Sequence, residues 1–217
     1  PSYAYATQQN DIYVNLYIQG KAEMQTADNK VTLEQTTEYP WNGKVTIKVT
    51  PEKEGEFAIR LRIPGWTKAA PIASDLYAYT DAAKKYTLKV NGSATRGAEG
   101  DGYETIVRTW KAGDVIELEM PMDVRRIKAN DKVEVDRGMV ALERGPIMFC
   151  LEGKDQPDST VFNKFIPNDT PIEASYEANL LNGVMVLQGT AKEVEKDGTV
   201  KDVAFKAIPY STWNNRG

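Results

Sequence analysis

The chain has 217 residues, 41% of them hydrophobic and 27% charged, which is an ordinary composition for a globular protein, and no apolar run approaches the roughly 20 residues of a membrane-spanning helix. The formal net charge is −4, and Lys and Arg are interspersed with Asp and Glu, which argues against nucleic acid as a partner. Histidine is absent, which excludes Ser-His-Asp catalysis, Cys-His catalysis and His-based zinc sites within this chain.

Short runs of alternating apolar and polar residues, separated by Gly, Pro, Asn and Asp, predict strands along most of the chain. No apolar stripe at helical spacing persists, and Ser74 to Lys84 is predicted to be a loop or a short helix. The predicted strands are Ile12 to Ile18, Val31 to Glu38, Lys44 to Val49, Glu56 to Ile63, Tyr86 to Val90, Tyr103 to Trp110, Ile116 to Met120, Lys132 to Asp136, Met139 to Leu151, Val184 to Thr190 and Val203 to Pro209.

Two connections between these strands carry specific predictions. The strands Lys44 to Val49 and Glu56 to Ile63 are close in sequence and both alternate, so they are expected to form an antiparallel hairpin. Gly145-Pro146 interrupts the long run from Met139 to Leu151, and it predicts a bulge or a step between sheets.

Many short strands with regular turns predict an all-β fold, an antiparallel β-sandwich of jelly-roll-like form with a smaller C-terminal β module. A Pro-, Asp- and Asn-rich stretch from Glu152 to Pro171 marks the expected boundary. The predicted domains are a main sandwich over residues 1–152 and a smaller β module over residues 153–217, with a last strand that can return to the main sandwich. Because the chain starts at Pro1 without an initiator Met, it is expected to be part of a longer polypeptide.

Six motifs follow one another with compatible spacing over nearly the whole chain. They are Glu38-Tyr39-Pro40-Trp41-Asn42-Gly43-Lys44-Val45, Leu61-Arg62-Ile63-Pro64-Gly65-Trp66, Val90-Asn91-Gly92, Arg108-Thr109-Trp110-Lys111-Ala112-Gly113-Asp114, Leu142-Glu143-Arg144-Gly145-Pro146-Ile147, and Ile208-Pro209-Tyr210-Ser211-Thr212-Trp213-Asn214-Asn215-Arg216-Gly217. In this order they resemble the region after the catalytic barrel of the bacterial β-L-arabinofuranosidases of glycoside hydrolase family 127.

The resemblance implies a parent protein with an (α/α) catalytic barrel followed by β-sandwich domains. In that family the nucleophile is a cysteine of a Cys-Cys-Pro-Pro-Asn type motif, which binds zinc together with further Cys and Glu ligands, and a separate Glu is the acid/base. This chain has one cysteine and no such motif. We therefore predict no catalytic residue, no metal ligand and no cofactor in this chain, with zinc implied only for the missing catalytic domain.

Several residues remain candidates for chemistry when taken singly. Cys150 lies between apolar neighbours and is interpreted as an unreactive strand thiol rather than a nucleophile. The pair Glu117 and Glu119 shares one face of a strand, as acid/base pairs and ordinary solvated faces both do. Asp131, Glu134 and Asp136 offer oxygen ligands for calcium, but without the spacing of an EF-hand.

Large aromatic residues are the candidates for contact with sugar, because their flat rings suit stacking, although such residues also bury well. The four tryptophans of the chain are the candidates of this kind: Trp41, Trp66, Trp110 and Trp213.

Three functional hypotheses follow, in order of preference. The first is a non-catalytic accessory domain that braces the catalytic barrel of its own polypeptide and contributes to homodimer contacts. The second is a carbohydrate-binding module for arabinose-containing plant glycans. The third is an enzyme that works through carboxylates alone, which the composition disfavours. The compartment stays open between the periplasm and the cytoplasm of a bacterium.

Overall fold

The computed structural model describes residues 3–215, so Pro1 and the last two residues of the closing motif, Arg216 and Gly217, lie outside the described residues. Within this range the chain forms strands and short 3-10 turns without an α-helix, which confirms the all-β prediction. No described helix has the length and apolar character needed to cross a bilayer.

The strands are short and follow one another closely along the chain. They are β1 (Tyr5–Gln8), β2 (Asp11–Val14), β3 (Gly20–Gln25), β4 (Lys30–Thr37), β5 (Lys44–Pro51), β6 (Gly55–Arg62), β7 (Tyr77–Tyr79), β8 (Thr87–Val90), β9 (Ser93–Ala94), β10 (Ala98–Gly100), β11 (Tyr103–Trp110), β12 (Asp114–Glu119), β13 (Val124–Ala129), β14 (Ala141–Arg144), β15 (Ile147–Leu151), β16 (Lys164–Phe165), β17 (Ile172–Glu177), β18 (Val184–Val194) and β19 (Val200–Pro209). The 3-10 turns are Gly65–Thr67, Glu134–Asp136, Gly153–Asp155 and Tyr210–Thr212.

Contacts divide the chain into two compact units. Unit 1 comprises residues 3–71 and 82–122, and unit 2 comprises residues 72–81 and 123–215. This differs from the predicted division after residue 152. The physical reason is strand pairing, because β14 pairs with β13 and β15, and β15 pairs with β19, so the segment before residue 152 shares a sheet with the C-terminal strands.

Unit 1 is a β-sandwich made of two sheets. One sheet has the strand order β1-β2-β6-β11-β10, and the other has the order β3-β4-β5-β12-β8-β9. All pairs are antiparallel except β2 with β6. Side chains from the inner faces of both sheets form one buried cluster, which includes Ile12, Leu33, Ile47, Ile59 and Trp110. Burial of these apolar faces between two layers is what stabilises the unit.

The predicted hairpin between β5 and β6 is wrong. β5 pairs with β4 and β12 in one sheet, whereas β6 pairs with β2 and β11 in the other. The same crossing recurs between β11 and β12. Three residues between β5 and β6 carry the chain from one layer to the other, so closeness in sequence does not mean pairing in this unit.

Side-chain hydrogen bonds connect the turn after β8 to the segment between β11 and β12 in unit 1. The side chain of Asn91 donates to Asp114 Oδ1 at 2.8 Å and accepts from the backbone N–H of Val115 at 2.8 Å. Asp114 Oδ2 accepts from the backbone N–H of Lys111 at 2.9 Å. The turn after β8 and the crossing from β11 to β12 therefore hold each other in place.

Unit 2 contains a single sheet with the strand order β16-β18-β19-β15-β14-β13-β7, and β17 also pairs with β18. β18 and β19 form a long hairpin around Lys196-Asp197-Gly198. Gly145-Pro146 forms the turn of an antiparallel hairpin between β14 and β15, rather than a bulge or a step between sheets.

Two further segments differ from their sequence-based expectations. The predicted strand from Lys132 to Asp136 contains only a 3-10 turn over Glu134–Asp136. The stretch expected as a loop or a short helix contributes β7, which pairs with β13. β7 is only three residues long, so it offers too short a run for an alternating pattern to indicate a strand.

A tightly packed glycine offers a test of the sandwich. A Cβ added to Gly43 would lie 1.8 Å from the carbonyl oxygen of Met120, whereas one added to Gly65 would meet nothing within 4 Å. We expect Gly43→Ala to lower the free energy of unfolding by about 2 kcal/mol or more, because the backbone of a buried strand end must shift. Urea denaturation measures it, with Gly65→Ala as the matched control, and equal stability of both variants would contradict this packing.

Candidate functional site

Trp110 and Trp66 are components of the unit 1 core. Trp110 is 0% exposed, and its indole N–H donates to the carbonyl of Phe57 at 3.0 Å. This burial removes Trp110 from the candidate sugar contacts. Trp66 is half-buried against the core, and its Nε1–H donates to the hydroxyl of Tyr39 at 3.2 Å. Both indole rings therefore serve packing, with their polar atoms satisfied as buried Trp requires.

Trp41 and Trp213 retain exposed ring surface. Trp41 is half-buried in the turn before β5. Trp213, in unit 2, is 52% exposed and stacks on Tyr210 with ring centroids 6.1 Å apart and an angle of 6° between the planes. The 3-10 turn Tyr210–Thr212 holds this stack, because the N–H of Trp213 donates to the carbonyl of Tyr210 at 3.1 Å. Of the four tryptophans, Trp213 presents the most accessible flat surface.

The acidic residues that the sequence singled out have ordinary structural partners. Glu117 and Glu119 share the outer face of β12, where Lys89 and Lys44 are their respective cross-strand neighbours. Asp136 accepts the hydroxyl of Tyr77 at 2.9 Å. Among residues 3–215, no group of three or more His, Cys, Asp or Glu side chains is arranged to hold a metal ion.

Sequence reasoning missed a carboxylate cluster in unit 1. Glu104 is 2% exposed, and it accepts the N–H of Gly97 at 2.5 Å and lies 2.7 Å from the hydroxyl of Tyr86. The same hydroxyl lies 3.0 Å from Glu99. Burial, followed by these carboxylates, raises the pKa of Tyr86, so its single proton stays on the phenol and serves one acceptor at a time.

The Glu104 cluster lies beside a cleft of about 550 Å³, which Tyr86, Arg96, Glu99 and Glu104 help to line. The hydrogen bonds of Glu104 connect separate segments of the chain to each other. Glu104 fastens the segment that crosses from β9 to β10 onto β11, because one oxygen accepts from that segment's Gly97. The alternation of β11 places Glu104 on the same face as Ile106. An acidic residue at a core-facing position is the sequence signal from which this cluster could have been predicted.

A second cluster that the sequence did not indicate lies in unit 2. The guanidinium of Arg125 lies over the ring of Tyr79, 3.1 Å from its centroid, and the Tyr79 hydroxyl donates to Glu143 at 2.7 Å. Arg125 and Glu143 are direct cross-strand neighbours. Burial raises the pKa of Glu143, while the Tyr79 hydrogen bond and the Arg125 charge act in the opposite direction.

Glu143 does not line the cleft beside β18 in unit 2. That cleft, of about 640 Å³, is lined by Asp169, Thr170, Glu173, Gln188 and Lys192 among others, and not by Glu143. Glu143 therefore bonds within its own sheet rather than into this cleft. The motif that contains Glu143 carries the family resemblance, and its partner Tyr79 lies in a stretch that the sequence predicts to be a loop or a short helix.

Cys150 is half-buried on β15. Burial raises the pKa of its thiol, and the nearby charges of Glu152 and Asp155 raise it further. A low-pKa nucleophile needs the opposite environment, which is cationic or metal-bound.

This environment predicts slow alkylation of Cys150. Because a raised pKa leaves less thiolate at a given pH, we expect iodoacetamide to react several-fold more slowly with the folded chain than with the urea-unfolded chain at about pH 8. The pH midpoint of the rate should lie higher in the folded chain, and Glu152→Gln with Asp155→Asn should lower it only part of the way, since burial is the larger cause. A folded-state midpoint below the unfolded one would contradict this.

Comparison with known families gives two matches that together span nearly the whole chain. Residues 11–122 match the family described as beta-L-arabinofuranosidase, GH127 middle domain, and residues 124–217 match the glycoside hydrolase family 127 C-terminal domain. The boundary between the two matches coincides with the boundary at Met122 in the structure.

Similar proteins are much longer than this chain. It is 30% identical over 206 residues to the non-reducing end beta-L-arabinofuranosidase of Bifidobacterium longum subsp. longum, covering 86% of the chain and 29% of that protein. A solved structure described as a GH127 beta-arabinofuranosidase is 39% identical with a TM-score of 0.92, covering 99% of this chain and 34% of that one. A GH127 beta-L-arabinofuranosidase from Geobacillus stearothermophilus T6 is 35% identical with a TM-score of 0.87, covering 99% and 33%.

Proposed function

Because the chain belongs to glycoside hydrolase family 127 and carries its middle and C-terminal domains, we propose that it is the accessory β-region of a β-L-arabinofuranosidase-like enzyme. In this role it braces the (α/α) catalytic barrel of the same polypeptide. The proposal rests on the share of each solved relative that this chain matches, because nearly all of the chain corresponds to only about a third of each relative. About two thirds of the family's length therefore lies outside it.

The chemistry of the described residues supports an accessory role. The buried carboxylates Glu104 and Glu143 are bonded to neighbouring segments of the chain, and Cys150 has a raised pKa. A glycosidase instead needs two carboxyl groups that flank the scissile bond across a cleft. Where zinc and a cysteine nucleophile act, as the resemblance implies for the parent, they would come from outside this chain.

Exposed apolar side chains also favour a supporting role in a larger protein. Among residues 3–215, most of the large hydrophobic side chains that stay exposed belong to unit 2. They are Ile72, Leu76, Val135, Met139, Met148, Phe162, Phe165, Tyr176, Val194, Val200, Tyr210 and Trp213. Where such residues are contiguous, they mark surfaces that other protein covers, and we propose the barrel as the partner that covers them, with a second copy of the polypeptide as the further partner.

The test compares two polypeptides on a chromogenic β-L-arabinofuranoside. We expect no hydrolysis by the 217-residue chain, and hydrolysis by a polypeptide that also carries the family's remaining length. In the longer polypeptide, Gly43→Ala should lower the temperature at which activity is lost, whereas Gly65→Ala should not, because only the former disturbs the sandwich. Hydrolysis by the shorter chain that is abolished by one Asp or Glu substitution would overturn the proposal.

Carbohydrate binding is the second candidate function, and the stack of Trp213 on Tyr210 favours it. We expect Trp213→Ala to abolish any quenching of tryptophan fluorescence by arabinose-containing oligosaccharides, because the exposed ring would be lost. Phe162→Ala is the matched control, since Phe162 is a fully exposed aromatic residue of the same unit. Absence of a signal from wild-type protein across a broad panel of plant oligosaccharides would remove this candidate.

A further inference from the structure

β11 has an open edge in unit 1. On one side β11 pairs with β6 along its full length, from Tyr103 to Trp110. On the other side β10 pairs only with Tyr103, Glu104 and Thr105. From Ile106 onward that second side has no neighbouring strand among residues 3–215.

The backbone direction at this edge follows from one hydrogen bond. The N–H of Ile63 donates to the carbonyl of Gly102 at 2.7 Å, so Tyr103 and its partner Arg62 form a non-hydrogen-bonded pair. Tyr103 and every second residue after it, including Val107 and Thr109, therefore direct their N–H and C=O groups away from β6.

These outward groups are largely unused. The carbonyl of Thr109 accepts from Nε of Arg108 at 3.2 Å. Within residues 3–215, no hydrogen bond is formed by the N–H of Val107, the C=O of Val107 or the N–H of Thr109. An edge of this kind is a template for an added strand.

A groove runs along this edge. It has a volume of about 910 Å³, and Val90 and Ile106 contribute buried apolar surface to its lining. Val107 at its rim is 62% exposed. The sequence Ile-Val-Arg-Thr has high strand propensity and contains no Pro, and Arg108 is its one charged residue.

The charges of the groove favour an acidic occupant. Arg96, Arg108 and Lys111 line it together with a single carboxylate, Glu54. Lys111 lies 3.2 Å from Glu54, and Arg108 lies 3.8 Å from Asp114. Exposed Arg96 has neither of these carboxylates as a partner, so cationic character remains at the mouth of the groove.

We propose that an extended segment from the part of the polypeptide outside this chain adds to the sheet as a strand along Val107–Trp110. Its backbone pairs with the outward groups of Val107 and Thr109. An apolar side chain covers Val90 and Ile106, and an acidic side chain faces Arg96. This inference rests on the proposed accessory role, because it takes its occupant from the two thirds of the family's length that the chain does not span.

Hydrogen exchange at single amides tests the added strand. In a polypeptide that carries the family's remaining length, we expect the amides of Val107 and Thr109 to exchange at least about 100-fold more slowly than in the shorter chain. The matched controls are the amides of Ile106 and Arg108, which point toward β6 and should be slow in both. If the shorter chain does not fold, these controls exchange fast, and the comparison is made between the two amide pairs within the longer polypeptide.

Three other outcomes of this hydrogen-exchange experiment would contradict the added strand. Fast exchange at Val107 and Thr109 in the longer polypeptide, with slowing elsewhere in the chain, overturns this inference and leaves the accessory role standing. If no amide of the chain slows in the longer polypeptide, both proposals fail. Protection of Val107 in the shorter chain alone that increases with its concentration would identify a second copy as the occupant, and the proposed segment would be wrong.

Discussion

The burial of two apolar sheet faces against each other in unit 1 fixes the register of its strands and the positions of the side chains that they carry. Ile47, Ile59, Leu61, Ile116 and Trp110 are fully buried between the layers. Because side chains alternate along a strand, a slip of one residue in any of these strands would turn its apolar set to solvent. The strands are therefore fixed in register, and the turns and clusters attached to them are held in fixed positions.

The same burial explains why sequence predicted the strands better than their partners. Alternation in Lys44 to Val49 and Glu56 to Ile63 correctly indicated two strands with one face buried. It does not say whether the next strand lies beside the first or in the opposite layer, since both arrangements bury one face of each strand. The structure uses the second arrangement for β5 and β6 and again for β11 and β12, so pairing occurs between strands far apart in sequence.

The candidate site residues show a similar division between local and long-range signals. Trp110 is in phase with Ile106 on β11, a local pattern that indicates burial, although Trp110 was predicted only as a candidate sugar contact. Tyr79, by contrast, meets Arg125 and Glu143 only because β7 joins the sheet beside β13, far along the chain. Neither the composition of its segment nor its spacing indicates that contact. The order of the motifs was sufficient to predict the family, but it did not predict which hydrogen bonds the individual carboxylates form.

Those carboxylates are occupied with holding the fold. In unit 1, Glu104 and Asp114 accept hydrogen bonds from backbone N–H groups in the segments that connect one sheet to the other. Glu143 accepts from Tyr79, and Glu193 accepts from Asn163 and lies 3.2 Å from Lys201. A buried carboxylate that is bonded to neighbouring segments in this way is poorly placed to protonate a leaving group or to attack a sugar. Unused bonding capacity lies instead in the backbone of β11 beyond Thr105 and in the exposed rings of Tyr210 and Trp213. Open strand edges pair with added strands and exposed aromatic faces stack on flat ligands, so the proposals for this chain rest on these groups rather than on its carboxylates.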